Sequence, residues 1–136
     1  MSADEPEVSE NMILGIAVGS ALMNFAALAV LGLVLFEDIV FGVVVGLFMG
    51  VGSYFFIPWL LLNQAEEPQL SDGAGDLIQT ANDSQKGALG IAMEAGGIVM
   101  VMAWFVEEDV TFSIAAGIAA LLAIFLVASI FFRRMN

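Results

Sequence analysis

Polar residues in this chain are confined to a few short stretches, and the long intervals between them are almost wholly apolar. From Met12 to Phe36 no ionisable side chain occurs. A helix of that length rises about 37 Å, enough to cross a hydrocarbon core of ~30 Å with some tilt. Glu37 and Asp38 interrupt the run. A second uncharged interval, Ile39 to Leu62, closes at Asn63 and Gln64. Lys86 precedes a third, Gly87 to Val106, which is apolar except for Glu94 and ends at Glu107, Glu108 and Asp109. A fourth, Val110 to Phe132, runs into Arg133, Arg134, Met135 and Asn136. The pattern predicts an all-α integral membrane protein with four transmembrane helices at 12–36, 39–62, 87–106 and 110–132. Two or three adjacent acids leave room only for tight turns, so the helices are expected to form two antiparallel hairpins, 12–63 and 86–136. Pro58 is expected to bend or end the second helix near its last turn.

Outside the spans, residues 1–11 carry Asp4, Glu5, Pro6, Glu7 and Glu10 and no base. This reads as an acidic disordered tail, the reverse of the positive region that opens a signal peptide. Residues 64–85 include Glu66, Glu67, Pro68, Asp72, Asp76 and Asp83. They are expected to be an acidic linker rather than a short interfacial helix built on Leu70, Leu77 and Ile78.

Composition agrees with lipid as the main solvent. The 136 residues are 60% hydrophobic and 13% charged, against roughly half apolar and a quarter charged in soluble domains. Fifteen acids face three bases and no histidine, which excludes nucleic acid as a partner because nothing can neutralise its phosphates. The acid excess resembles in style the proteins of salt-loving archaea, whose acidic surfaces stay hydrated in concentrated salt. Cysteine is absent too, so there is no disulfide, no thiolate and no haem or copper ligation of the usual kind. No cofactor or metal is expected, and the eight methionines read as adaptable packing.

Three charges set the orientation. Arg133 and Arg134 follow the fourth span and Lys86 precedes the third, which places all three on one side. The positive-inside rule makes that side cytoplasmic, together with both termini and the 64–85 linker, in a multi-pass protein of the cell membrane.

The two halves look alike. Asp38-Ile-Val-Phe41-Gly42-Val-Val-Val-Gly46-Leu47 aligns without a gap on Asp109-Val-Thr-Phe112-Ser113-Ile-Ala-Ala-Gly117-Ile118. Upstream, Gly15-Ile16-Ala17 resembles Gly90-Ile91-Ala92 with an offset four residues larger, as if the third span lacked one helical turn. The alternatives are a tandem, parallel internal repeat and chance similarity between glycine-rich apolar helices.

Small residues mark where helices can approach closely. Gly42, Gly46 and Gly50 share a helix face, as do Gly15 and Gly19, and Ser113 and Gly117 repeat the spacing. They read as packing of a four-helix bundle, or as a seam with a second copy or a larger partner. Tyr54, Phe55, Phe56 and Trp59 at one end, and Trp104 and Phe105 at the other, read as anchors at headgroup level.

Glu94 is the misfit. It lies eight residues beyond Lys86 and thirteen before Glu107, at a depth where a charged acid costs at least a few kcal/mol. Three roles fit an acid there. It can relay protons or cations, donate a hydrogen bond in its protonated form to a neighbouring helix with Asn24 as the candidate acceptor, or pair with a partner subunit. Asn24 is expected to bridge helices in any case. Ser20, Ser53 and Ser129 are expected to bond back to their own helix carbonyls. The acidic turns read as solvated stops, since they lack the alternating ligand spacing of a calcium loop. No nucleophile–base pair or phosphate loop is present, so catalysis is not expected. Two function classes remain: an accessory or scaffold subunit packed against a larger membrane complex, and a compact oligomeric proton- or cation-coupled transporter or channel that uses Glu94.

Overall fold

A computed structural model of the chain describes residues 10–65 and 74–135. Most of the acidic tail and the centre of the 64–85 segment lie outside the described residues. The protein is all-helical: α1 (Glu10–Leu35), α2 (Ile39–Ala65), α3 (Ala74–Glu107) and α4 (Val110–Met135). Each is long and apolar enough to cross a membrane, the architecture of a multi-pass membrane protein. Helices suit that solvent because they satisfy their backbone hydrogen bonds internally.

Three boundaries differ from the sequence-based expectation. Residues 74–85, expected as linker, form the first turns of α3; Leu77 and Ile78 lie on this helical stretch. Pro58 sits inside α2, which runs on to Ala65 rather than ending there. The third span covers Ser84–Glu107, 24 residues against 25 in the first, so it is not a turn shorter.

The acidic turns are built by the same device. Glu37 adopts φ 52° and Glu108 φ 51°, left-handed values that break the helix and cost a non-glycine residue roughly 1–2 kcal/mol. The aspartate that follows then caps the next helix. Asp38 Oδ1 accepts from Phe41 N–H at 3.0 Å, and Asp109 Oδ1 accepts from Phe112 N–H at 2.6 Å. Capping of this kind is worth about 1 kcal/mol. Both aspartates therefore do more than hold the turn in water.

α2 and α3 form the central pair; α1 packs on α2 and α4 on α3, while among the described residues α1 and α4 share no comparable interface. The helices make an open row, in which the glycine-marked faces join neighbours in sequence. Only 6% of the α1 and α4 spans is buried, against 39% of α2 and 28% of α3. The reason lies in α2, which has small residues on two faces. Toward α1, a Cβ at Gly42 would stand 2.5 Å from Gly32 Cα and 2.8 Å from Leu28 O. Gly46 and Gly50 likewise abut Phe25 O and Ala21 O, each 2.9 Å from where a Cβ would be. Toward α3, a Cβ on Gly52 would stand 3.0 Å from Gly90 O, and one on Gly90 2.6 Å from Phe56 N. On the far side of α3, Gly96 and Gly117 give α4 the same close approach. Gly15 and Gly19 play no such part among the described residues, where nothing lies within 4 Å of a Cβ at either.

Phe36, Phe41, Val45 and Met100 form the buried core, next to the acidic turns. Phe41 stacks on Trp104 with centroids 5.1 Å apart, and Phe36 meets both rings edge-on. At the other end the Trp59 ring lies flat against Gly87. Both tryptophans thus pack between helices, beyond the anchoring expected of them, whereas Phe105 is exposed.

These contacts predict a contrast between two glycines. Gly42→Ala is expected to destabilise the protein by about 1–3 kcal/mol, since the groups it strikes are backbone and cannot swing away. Gly15→Ala is expected to be neutral or stabilising by up to about 1 kcal/mol. Equilibrium unfolding in mixed detergent, followed by tryptophan fluorescence, checks both, and equal effects would contradict the packing described.

Candidate functional site

The candidate site is a chain of three polar side chains crossing three helices. Asn24 of α1 donates from Nδ2 to Ser53 Oγ of α2 at 2.6 Å. Ser53 Oγ donates in turn to Glu94 Oε1 of α3 at 2.6 Å. Ser53 is 1% exposed, while Asn24 and Glu94 are half-buried. Its hydroxyl both accepts and donates, so the three groups form one polarised line, and each bond strengthens the next in a low-dielectric setting.

Glycines make the line possible. A Cβ on Gly52 would stand 2.7 Å from Glu94 Cγ and 2.9 Å from Glu94 N. Without that space α3 would be held off, and the Glu94 carboxyl would miss Ser53. One residue later on α2, Ser53 meets Asn24, because the glycine face beside it draws α1 close.

The sequence pointed to Asn24 as the direct partner of Glu94. The structure interposes Ser53, which was expected only to bond its own helix. A depth count could have found it. Asn24 lies 14 residues before Asp38, Ser53 15 residues after it, and Glu94 15 residues before Asp109. At 1.5 Å per residue all three sit about 21–23 Å from the turns, at one level of the row. Of the other serines, Ser113 Oγ bonds back to Asp109 O at 2.7 Å and is buried against α3. Ser129 Oγ is buried and finds no hydrogen-bond partner among the described residues.

The remaining expected positions scatter. Gly42, Gly46, Gly50, Ser113 and Gly117 lie at helix contacts, and Gly15 and Gly19 on the exposed face of α1. Lys86 lies on an exposed part of α3, and Arg133 and Arg134 on the last turn of α4. Among the described residues no group of three or more His, Cys, Asp or Glu is placed to hold a metal ion, although five acids lie in the two turns. Two open apolar grooves flank the row. One, of about 390 Å³, lies between α1 and α2 beside Val18, Leu22, Phe25 and Tyr54; the other, about 440 Å³, lies between α3 and α4 beside Ile91, Ile124 and Phe131. Neither is lined by any member of the polar chain.

No protein-family model, curated protein or solved structure matches the chain.

Ser53→Ala is expected to lower stability by about 1–2 kcal/mol, near the upper end for a hydrogen bond between membrane helices. Asn24→Ala should cost clearly less in the Ser53→Ala background than in the parent, because Ser53 is the group it serves. A double-mutant cycle of unfolding free energies measures this, and additive losses would show that the line does not act as a unit.

Proposed function

We propose that the protein is a small, non-catalytic, multi-pass membrane subunit that packs against a larger membrane complex. The observation that carries this reading is the open row. α1 and α4 bury only 6% of their spans within the chain and do not close on each other, which leaves two long apolar flanks for other helices or lipid. The polar chain supports it as well. Its hydrogen bonds are made inside the row, where they tie α1, α2 and α3 into one rigid unit.

In this reading the helices form two antiparallel hairpins. The paired contacts support that arrangement: Gly32 meets Gly42, Phe25 meets Gly46 and Ala21 meets Gly50, descending one helix as they ascend the other. The hairpins are a tandem repeat in which equivalent positions lie 71 apart throughout. Glu37 and Glu108 share a left-handed φ, Asp38 and Asp109 share the cap, and Ala17 and Ala88 are both fully buried. Gly46 against Phe25 O also repeats as Gly117 against Gly96 O. This register needs no missing turn in the third span. Both termini and the 64–85 segment are cytoplasmic, with the acidic turns outside, in the cell membrane.

A second reading, proton- or cation-coupled transport through Glu94, is favoured by one observation: Glu94 is not fully buried, unlike Ser53.

Photo-crosslinkers at Leu22 of α1 and Leu126 of α4, both exposed, test the subunit reading in native membranes. They are expected to capture one stoichiometric partner, which remains bound through mild-detergent purification. A clean homo-oligomer whose liposomes carry a cation flux abolished by Glu94→Gln would favour transport instead. Because the chain has no cysteine, orientation is open to single-cysteine labelling. Glu108→Cys is expected to react with an impermeant maleimide in intact cells, and Arg134→Cys only after permeabilisation.

A further inference from the structure

Two faces at the edges of the row have equivalents that are covered inside the chain. In the repeat register of 71 residues, the α1–α2 and α3–α4 contacts coincide. A Cβ on Gly46 would stand 2.9 Å from Phe25 O, and one on Gly117 2.7 Å from Gly96 O; a Cβ on Gly50 would face Phe25 Cβ, and one on Gly96 faces Leu121 Cβ in the same way. The α2–α3 contact has no such counterpart within the chain. Its α2 side maps onto α4 and its α3 side onto α1, in both cases onto a largely exposed face. We propose that a second copy of this chain covers these faces, with α4 of one copy packing on α1 of the next as α2 packs on α3.

The match runs along the length of the helices. Across α2–α3, Gly87 faces the Trp59 ring, Gly90 the backbone at Phe56, and Gly97 the Met49 side chain. The equivalent edge pairs are Ile16 with Ile130, Gly19 with Val127, and Ala26 with Ala120. The stack of Phe41 on Trp104 corresponds to Phe112 with Leu33, which are 50% and 54% exposed. Ser53 and Glu94 make the one hydrogen bond across α2–α3 that the polar line uses. Their equivalents are Ile124 and Met23. Both members change to apolar residues together, so a contact between copies would leave no polar group unmatched in lipid. Had only one changed, the two edges would not fit each other. Ala123 carries the methyl that its equivalent Gly52 lacks, so two chains approach less closely than α2 and α3 do.

Direction agrees as well. In two tandem hairpins α4 runs against α1 as α2 runs against α3, so successive copies keep one orientation and are related by rotation about the membrane normal. The two faces differ, which makes the contact head-to-tail. Each copy spends its α4 on one neighbour and offers its α1 to another, and copies add until a ring closes. Small residues at the seam, Gly19 and Ala26 against Ala120 and Ala123, supply the close packing that holds helices together in lipid. A foreign helix would have to match one of these faces independently, whereas this chain carries the matching half at its own opposite edge. The inference deepens the subunit reading and rests on it for the flanks being covered by protein.

The chain has no cysteine, so introduced pairs report the contact directly, since a disulfide forms only between closely placed residues. The full-length protein carrying both Met23→Cys and Ile124→Cys is oxidised with copper phenanthroline in the membranes of expressing cells and run on a non-reducing gel. A ladder of dimers and higher multiples is expected. Co-expression of the two single variants should give dimers and nothing larger, the signature of a head-to-tail contact. Gly19→Leu, a change into open space within the chain, should remove the ladder while circular dichroism shows the helices intact. Pairing Met23→Cys with Phe112→Cys, which lies at another depth, should give no product, and this control does not depend on the Gly19 variant. The proposal is overturned by the absence of a ladder, by linkage through Met23→Cys alone (a symmetric α1 contact), by equal linkage at Phe112, or by a ladder that survives in a helical Gly19→Leu protein. A foreign protein captured at Leu22 or Leu126 with no ladder would remove this inference and keep the subunit reading. A ladder with no foreign protein captured would do the reverse.

Discussion

The organisation of this molecule depends on how closely α2 lets its neighbours approach. In lipid there is little hydrophobic gain in pressing one apolar helix against another, so association has to come from tight packing and from hydrogen bonds between helices. α2 meets that condition on two sides. Gly42, Gly46 and Gly50 bring its backbone against the carbonyls and Cα atoms of α1, and Gly52 does the same for α3. α3 then passes the arrangement on to α4 through Gly96 against Gly117. A helix with two such faces becomes the middle of a row, and one with a single face becomes its edge.

The polar line follows from that spacing. Hydrogen bonds of 2.6 Å between side chains as short as Ser53 and Asn24 require two backbones already near contact. The same holds for Ser53 and Glu94, where Gly52 leaves the room that the Glu94 stem occupies. Packing and polar chemistry are therefore one feature: the glycines set the distance, and the three side chains fill it at a common depth. This is also why an acid is tolerated there, since a membrane carboxyl persists only where partners face it.

The acidic turns show how one sequence element does several jobs. Glu37 and Glu108 end a helix through a left-handed backbone, and the following aspartates start the next one as caps. The charges also keep each turn out of the hydrocarbon. Repetition of this device at the same spacing, with Phe41 fully buried and Phe112 exposed, shows that local structure and burial are decided separately. The first depends on the turn residues, and the second on whether the helix stands inside the row or at its edge.

The four helices were legible in the sequence because their signal is local: uninterrupted apolar runs of membrane length, punctuated by paired acids. The importance of Gly42, Gly46 and Gly50 was legible for the same reason, since a spacing of four marks one helix face. What could not be read locally was which faces meet. Gly15 and Gly19 carry the same spacing as the α2 stripe, yet no other helix among the described residues approaches them. Ser53 looked like an ordinary self-bonded serine, yet it is the bridge between Asn24 and Glu94. Helical periodicity says which residues share a face, but only the packing of one helix on another determines whether that face meets a backbone, a hydroxyl or lipid. Sequence alone thus determined the helices, their turns and the residue that did not belong in the membrane. The tertiary structure decided what that residue touches, because the line through Ser53 exists only at the distance that three glycine-lined helices set.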